Sequence, residues 1–324
     1  MALILALLSL GAAAPAGAAA QRLLIANSAI SGTQMELYVI QDAGIFQKHG
    51  LDVQVIFTEG GSRTVQALIA GDIPLASVGG SAVVRSAMAG SGLKIFAGVI
   101  NTMPYTVAAV KEITRMDQLR GRRVAVSRFG SSSDFSIRFA LLKAGLTPDK
   151  DVAVVQIGSE PARFAALQNR SAFATVITPP LTLQARKLGL NLLADLSDLG
   201  LEYQHTTMSA LDTYLVKQAD LVRRFLRAWV EGVHFYKTNK EPSLRSIARV
   251  YRTTDMEGIE EQYSKIVLKM LMKKPYPTLK GIQLILDEIA EKDPRARHAR
   301  PEQFVEDRFV RELDQSGFID QLYR

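Results

Sequence analysis

The chain has 324 residues, no cysteine and a formal net charge of +7, with 48% hydrophobic and 22% charged residues. Such a composition folds into a globule rather than staying disordered. The lack of Cys excludes disulfides, thiolate metal sites, a cysteine nucleophile and a lipidated N-terminal cysteine. His49, His205, His234 and His298 stand too far apart for a zinc motif of the H-E-x-x-H kind, so no metal or cofactor is expected. At about 100–200 residues per domain, two lobes are expected.

Residues 1–20 carry no charged side chain; a short apolar run leads into an Ala/Gly/Pro segment ending Ala18-Ala19-Ala20. This pattern predicts a signal peptide cut before Gln21, although its start lacks the usual Lys or Arg. The apolar run is shorter than the ~20 residues that span a bilayer. No later stretch is long and apolar enough to do so, so an exported, periplasmic, soluble mature chain is expected. The basic residues are dispersed and the chain has one Trp, which speaks against nucleic acid as a partner.

From Arg22 onward, strand and helix patterns alternate. Strands are expected at 23–26, 53–57, 75–78, 94–100 and 106–110. Helices are expected at 33–43, at 62–70 with Val65, Leu68 and Ile69 inward, and at 82–89. Gly44, Gly71 and Gly90 stand where helix stops belong. This βαβαβ order predicts a mostly parallel sheet with helices on both faces. The polar segment 111–122 reads as a crossing into a second series. That series has strands at 123–127, 152–156, 173–177 and 192–193, and helices at 132–143, 161–169 and 179–188. An extended stretch near 206–215 returns the chain to the first lobe. Helices follow at 219–236, 242–251, 257–271, 279–290 and 301–314. The first carries a regular apolar stripe through Phe225, Trp229 and Val233 that reads as core.

Four phrases carry a family resemblance. AGIFQKHGLDV (43–53), ALIAGDIPLA (67–76), DQLRGRRVAV (117–126) and RRFLRA (223–228) occur in order and at matching spacing. Together they resemble the nitrate/taurine/aliphatic-sulfonate type of ABC-transporter substrate-binding protein. In the second phrase, Pro74 stands where Asp is common. The resemblance implies an α/β, type-II periplasmic-binding-protein fold. Two α/β lobes would hold a ligand cleft between them, with C-terminal helices bracing the first lobe. The lobes would comprise 21–111, 112–208 and the return at 209–324. A related group makes the thiamine pyrimidine with a cysteine-rich iron motif, which this chain lacks; no enzyme activity is expected.

In open α/β sheets, ligands bind beyond the carboxyl ends of the strands. Here those ends are rich in Gly and Ser. Ser28, Ser31 and Thr33 follow the first strand, Gly61 and Ser62 the second, and Gly79-Gly80-Ser81 the third. Arg128, Ser131, Ser132 and Ser133 follow the first strand of the second series, and Thr178 follows a later one. Each segment offers N–H groups or hydroxyls at a helix start, where an anion is favoured, or else serves only as an N-cap. Gly80 and Ser81 belong to a segment whose glycines allow close backbone approach. Neither Gly-rich segment matches the phosphate-loop pattern.

Arg63 and Arg163 either clamp an oxyanion or serve the scaffold. Asp134 and Glu160 suit an amine instead, so the ligand's charge stays open. Tyr105 either walls the cleft or packs in the core, and His205 reads as structural. The expected function is a monomeric receptor that binds a small-molecule ligand by hinge closure near 110–112 and 206–211. It would deliver that ligand to an ABC permease, or signal to a membrane partner.

Overall fold

Two five-stranded sheets, each flanked by helices, make up the computed structural model, which describes residues 20–324. The expected leader lies outside the described residues apart from Ala20.

The first lobe opens with β1 (Gln21–Asn27), α1 (Glu36–Asp42), α2 (Ile45–Lys48), β2 (Leu51–Phe57), α3 (Gly61–Ala70), β3 (Leu75–Gly79), α4 (Gly80–Met88) and β4 (Leu93–Thr102). The chain then enters the second lobe through β5 (Thr106–Ala109), β6 (Arg123–Val126), α5 (Ser132–Lys143), β7 (Ala153–Gln156), α6 (Glu160–Gln168), β8 (Ala174–Ile177), α7 (Leu181–Lys187) and β9 (Asn191–Asp195). It returns through β10 (Glu202–Leu211) and continues as α8 (Asp212–Lys217), α9 (Ala219–Thr238), α10 (Lys240–Tyr251), α11 (Met256–Gln262), α12 (Leu279–Ala290), α13 (Arg308–Gln315) and α14 (Phe318–Leu322).

The first sheet has the order β2-β1-β3-β10-β4, and the second β7-β6-β8-β5-β9. β1 pairs parallel with β2 and β3, while β10 runs antiparallel between β3 and β4. In the second sheet β6 pairs parallel with β7 and β8, while β5 runs antiparallel between β8 and β9. Each lobe thus inserts one strand supplied by a crossing.

This arrangement corrects the expected crossings. β5 is a strand of the second sheet, so the chain passes over at residues 103–105, not at 110–112. Pro104 has no N–H to continue the β4 ladder, and the four residues of β5 are all buried, as a central strand requires. The return passage runs through residues 196–201, because 206–210 is buried within β10, which ends at Leu211. The polar segment after β5 stays with the second lobe, where Val110 donates to the Phe173 carbonyl at 3.0 Å and Gly121 to that of Asp151 at 2.7 Å.

Four helices also differ from expectation. α1 begins at Glu36, because residues 31–34 form a turn in which Gln34 donates to the Ser31 carbonyl at 3.1 Å. Ile69 is 45% exposed, while Val65 and Leu68 pack inward. The helix expected over 257–271 changes pitch at Tyr263, where a π turn covers Tyr263–Val267, and that expected over 301–314 splits around Val305, which bridges to Ile95. The helices after β10 brace the first lobe. Trp229, Phe225 and Leu226 of α9 are buried with Phe46, Leu37 and Ile25, and the Phe46 and Phe225 rings stack at 5.8 Å. Burying such side chains contributes roughly 1.5–3 kcal/mol each. No helix among the described residues is long and apolar enough to cross a membrane.

Candidate functional site

The carboxyl ends of β1, β2 and β3 face those of β6 and β7 across a cleft of about 500 Å³, open solvent at its mouth included. The first-lobe wall begins at Asn27. Its amide donates to the carbonyls of Ala29 (3.1 Å) and Gln34 (2.9 Å), folding residues 28–34 into a compact loop. Within it, Ser28 Oγ lies 3.0 Å from Gln34 Nε2. The Gly60 N–H donates to the Ser28 carbonyl at 2.9 Å, which holds the start of α3 beside this loop.

The second-lobe wall is a cluster of hydroxyls. Ser127, Ser131 and Ser133 lie 2.9–3.0 Å from one another, and the Ser127 N–H donates to Ser133 Oγ at 2.9 Å. Ser131 also caps α5, accepting from the Asp134 N–H. The starts of α3, α5 and α6 therefore point their first N–H groups toward the same space, a field that favours negative charge.

The charged residues of the wall are engaged. Arg163 is 2% exposed, and its three nitrogens donate to Thr175 Oγ1 (3.0 Å) and the carbonyls of Gly158 (2.9 Å) and Val176 (3.1 Å). Glu160 accepts from the N–H and hydroxyl of Thr178 at 2.6 and 2.8 Å. Burial pushes the Glu160 carboxyl above the usual range, against the pull of Arg163. Tyr105 and His205 form an aromatic corner, edge to face at 5.1 Å. Burial drives His205 down to about 3, so its ring is neutral at ordinary pH.

The two lobes touch at the mouth. Glu59 of the first accepts from Arg128 Nη2 (2.7 Å) and the Ser159 N–H (3.0 Å) of the second. Ser62 Oγ donates to the Phe129 carbonyl at 2.7 Å, and Ser81 Oγ to that of Gly130 at 3.3 Å. Two glycines make this approach feasible. A Cβ on Gly79 would lie 2.2 Å from Ser132 Oγ, and one on Gly158, at φ +111°, would lie 2.2 Å from Glu59 Oε1.

Of the residues singled out from sequence, Ser28, Thr33, Gly61, Ser131, Ser132 and Ser133 line the cleft. Six others do not. Ser31 is buried behind the loop, bonded to Thr33 at 3.0 Å. Gly80 packs against the Gln204 carbonyl, and Thr178 lies beneath Glu160. Ser62, Ser81 and Arg128 serve the seam between lobes. Arg63 projects to solvent with Glu59 at 3.6 Å, and Asp134 is bound to Arg138 at 2.6 Å. Tyr105, Glu160, Arg163 and His205 also line the cleft, as do Gln34, Gly79, Ser127 and Ser159. Ser127 and Ser159 carry a readable signal, since both stand where a strand hands over to a helix start. Gln34 carries none. A larger recess of about 1290 Å³ lies beside the crossings, against Pro104, Asp195 and Lys269, and receives none of these Gly/Ser loops.

A family model described as "NMT1/THI5 like" matches residues 33–242. The chain belongs to the NMT1/THI5-like family. YtlA of Bacillus subtilis (strain 168), named as a candidate binding protein, is 26% identical over 287 residues, covering 79% of this chain and 85% of that protein. The alkanesulfonate-binding protein SsuA of Xanthomonas axonopodis pv. citri, solved with MOPS, superposes with a TM-score of 0.70 at 17% identity, covering 85% of this chain and 93% of its own. The nitrate-binding protein NrtA of Synechocystis PCC 6803 gives 0.67 at 12% identity, covering 91% and 89%. This member of the NMT1/THI5-like family thus has the fold of ABC-import substrate-binding proteins, as its four sequence phrases imply.

Proposed function

We propose that the chain is the solute-binding subunit of an ABC importer. It acts outside the cytoplasmic membrane as a monomer, captures one small molecule between its lobes and delivers it to a permease. The observation that carries this reading is the cleft itself, where hydroxyls and helix starts from both lobes converge on one space. Ser28, Thr33, Gly61 and Ser131–Ser133 are the contacts on its two walls. The passages at 103–105 and 196–201 form the hinge, and the closed form is the one in which a ligand touches both lobes. The family's binding-protein relatives support the same reading, and no residue carries out a reaction.

A thermal-shift screen of sulfonates, nitrate, aromatic acids, amines, pyrimidines and short peptides tests it. A ligand at ~100 times its dissociation constant stabilises by ~2.7 kcal/mol, which raises the midpoint by several degrees. One chemical class is expected to give a saturable shift. No shift with any class overturns the receptor reading.

A further inference from the structure

We propose that His205 contacts the bound solute, donating from Nε2–H to an acceptor oxygen of the ligand. The inference rests on the receptor reading and deepens it by naming a contact and the group that meets it.

His205 sits on β10, 3% exposed, and forms part of the cleft wall. Its Nδ1 lies 2.8 Å from Thr206 Oγ1, while Nε2 is buried without a partner among the described residues. Among the described residues the Thr206 hydroxyl has no other side-chain or backbone partner, and this decides the tautomer. If Nδ1–H donated to Thr206 Oγ1, the threonine proton would lack an acceptor and Nε2 would lack a donor. If the hydroxyl donates to Nδ1, its proton is satisfied and only the Nε2–H is left over. An orphaned buried group is costly, so the arrangement that leaves one rather than two holds. The remaining orphan is then an N–H donor in the wall of a cleft, and a bound solute supplies its acceptor.

The neighbours agree in kind. The Ser127, Ser131 and Ser133 hydroxyls and the starts of α3, α5 and α6 are also donors or able to donate. The nitrogens of Arg163 are already engaged, so acceptor recognition falls to neutral donors such as His205. Tyr105, edge to face with His205, fixes the plane of the imidazole. The matching ligand group is an acceptor oxygen of a carboxylate, a sulfonate or nitrate.

Long-range proton–nitrogen NMR of the histidine rings of the full chain reads the tautomer directly, with the His205 signals assigned by their loss in His205→Gln. The Nε2–H form is expected without ligand; the Nδ1–H form overturns the assignment. Calorimetry with acetate, benzoate, ethanesulfonate and nitrate then separates the ligand groups. For the tightest of these, His205→Leu is expected to weaken binding by about tenfold or more, as for a lost hydrogen bond. His205→Gln, which keeps a donor, is expected to stay within about threefold. Binding by His205→Leu equal to that of the unaltered chain overturns the proposal alone. Failure of all four probes to bind the unaltered chain overturns the acceptor-oxygen class, and the broader screen then decides the receptor reading separately.

Discussion

Glu59 and Arg128 meet at 2.7 Å across the mouth of the cleft, one from each lobe. Glu59 also takes the Ser159 N–H at 3.0 Å, so one carboxylate holds two points of the second lobe. Both side chains are about a quarter exposed, which limits the ion pair to ~1 kcal/mol or less. The charged hydrogen bond to Ser159 adds about as much again. Glu59→Gln is therefore expected to lower affinity for the solute by about five- to thirtyfold while changing the melting temperature little. Calorimetry on the variant checks this, and unchanged affinity would show that Glu59 does not hold the closed form.

Gly79 is one of the glycines where a Cβ would clash with the opposite wall. Alanine is conformationally acceptable there, at φ −66° and ψ 129°, yet its Cβ would meet Ser132 Oγ at 2.2 Å. Gly79→Ala is expected to keep the lobes apart without unfolding either. Small-angle scattering should show a larger radius of gyration, restored in part by adding Ser132→Ala. A radius equal to that of the unaltered chain would mean the wall yields locally instead.

Arg163 and Glu160 are buried together but contribute unequally. Arg163→Met strips donors from two carbonyls and Thr175, and leaves Glu160 without its cation. It is expected to cost about 3 kcal/mol or more. Glu160→Gln keeps an acceptor for Thr178 and is expected to cost about 1 kcal/mol. Urea unfolding of the two variants compares them, and equal midpoints would refute the asymmetry.

Glu36 and His205 give opposite responses to pH. Burial raises Glu36 from 4.5 to about 7, despite its hydrogen bond from Ser77 at 3.1 Å, and lowers His205 from 6.5 to about 3. Between 4.5 and about 7 the folded chain holds the extra proton on Glu36, so stability falls as pH rises through that window. Between about 3 and 6.5 the unfolded chain holds the extra proton on His205, so stability falls as pH drops through that window. The two slopes oppose each other where the windows overlap. Glu36→Gln removes the alkaline loss, on the order of 3 kcal/mol between pH 4.5 and 8. Urea unfolding across that range should show it, and an unchanged pH profile would contradict the assignment.

The order of strands and helices is legible because it rests on local signals. Glycine stops at Gly71 and Gly90 and the 3.6-residue apolar stripe of α9 each act within a few residues. Sheet membership is not local. Nothing in Thr106–Ala109 says which lobe it joins, and only pairing with β8 and β9 decides it. That one strand moves the first crossing, and the pairing of β10 with β3 and β4 moves the second. The same distinction applies at the cleft. Ser131–Ser133 stand at a helix start and can be read from sequence, whereas Arg128 is drawn away by Glu59, 69 positions earlier. Ile69 faces outward although it neighbours Leu68 on a short helix, because a ten-residue helix has room to bury only one face. The orphan nitrogen of His205 follows from its partner Thr206 and from burial between lobes, neither of which a lone histidine in a sequence discloses.

The most direct test of the receptor account is calorimetric titration of the chain, and of Gly79→Ala, with the solute class that stabilises it most. The account predicts one saturable site per chain, largely lost in the variant. Absence of binding with every class would contradict it, whereas binding undiminished in Gly79→Ala would mean that Ser132 yields.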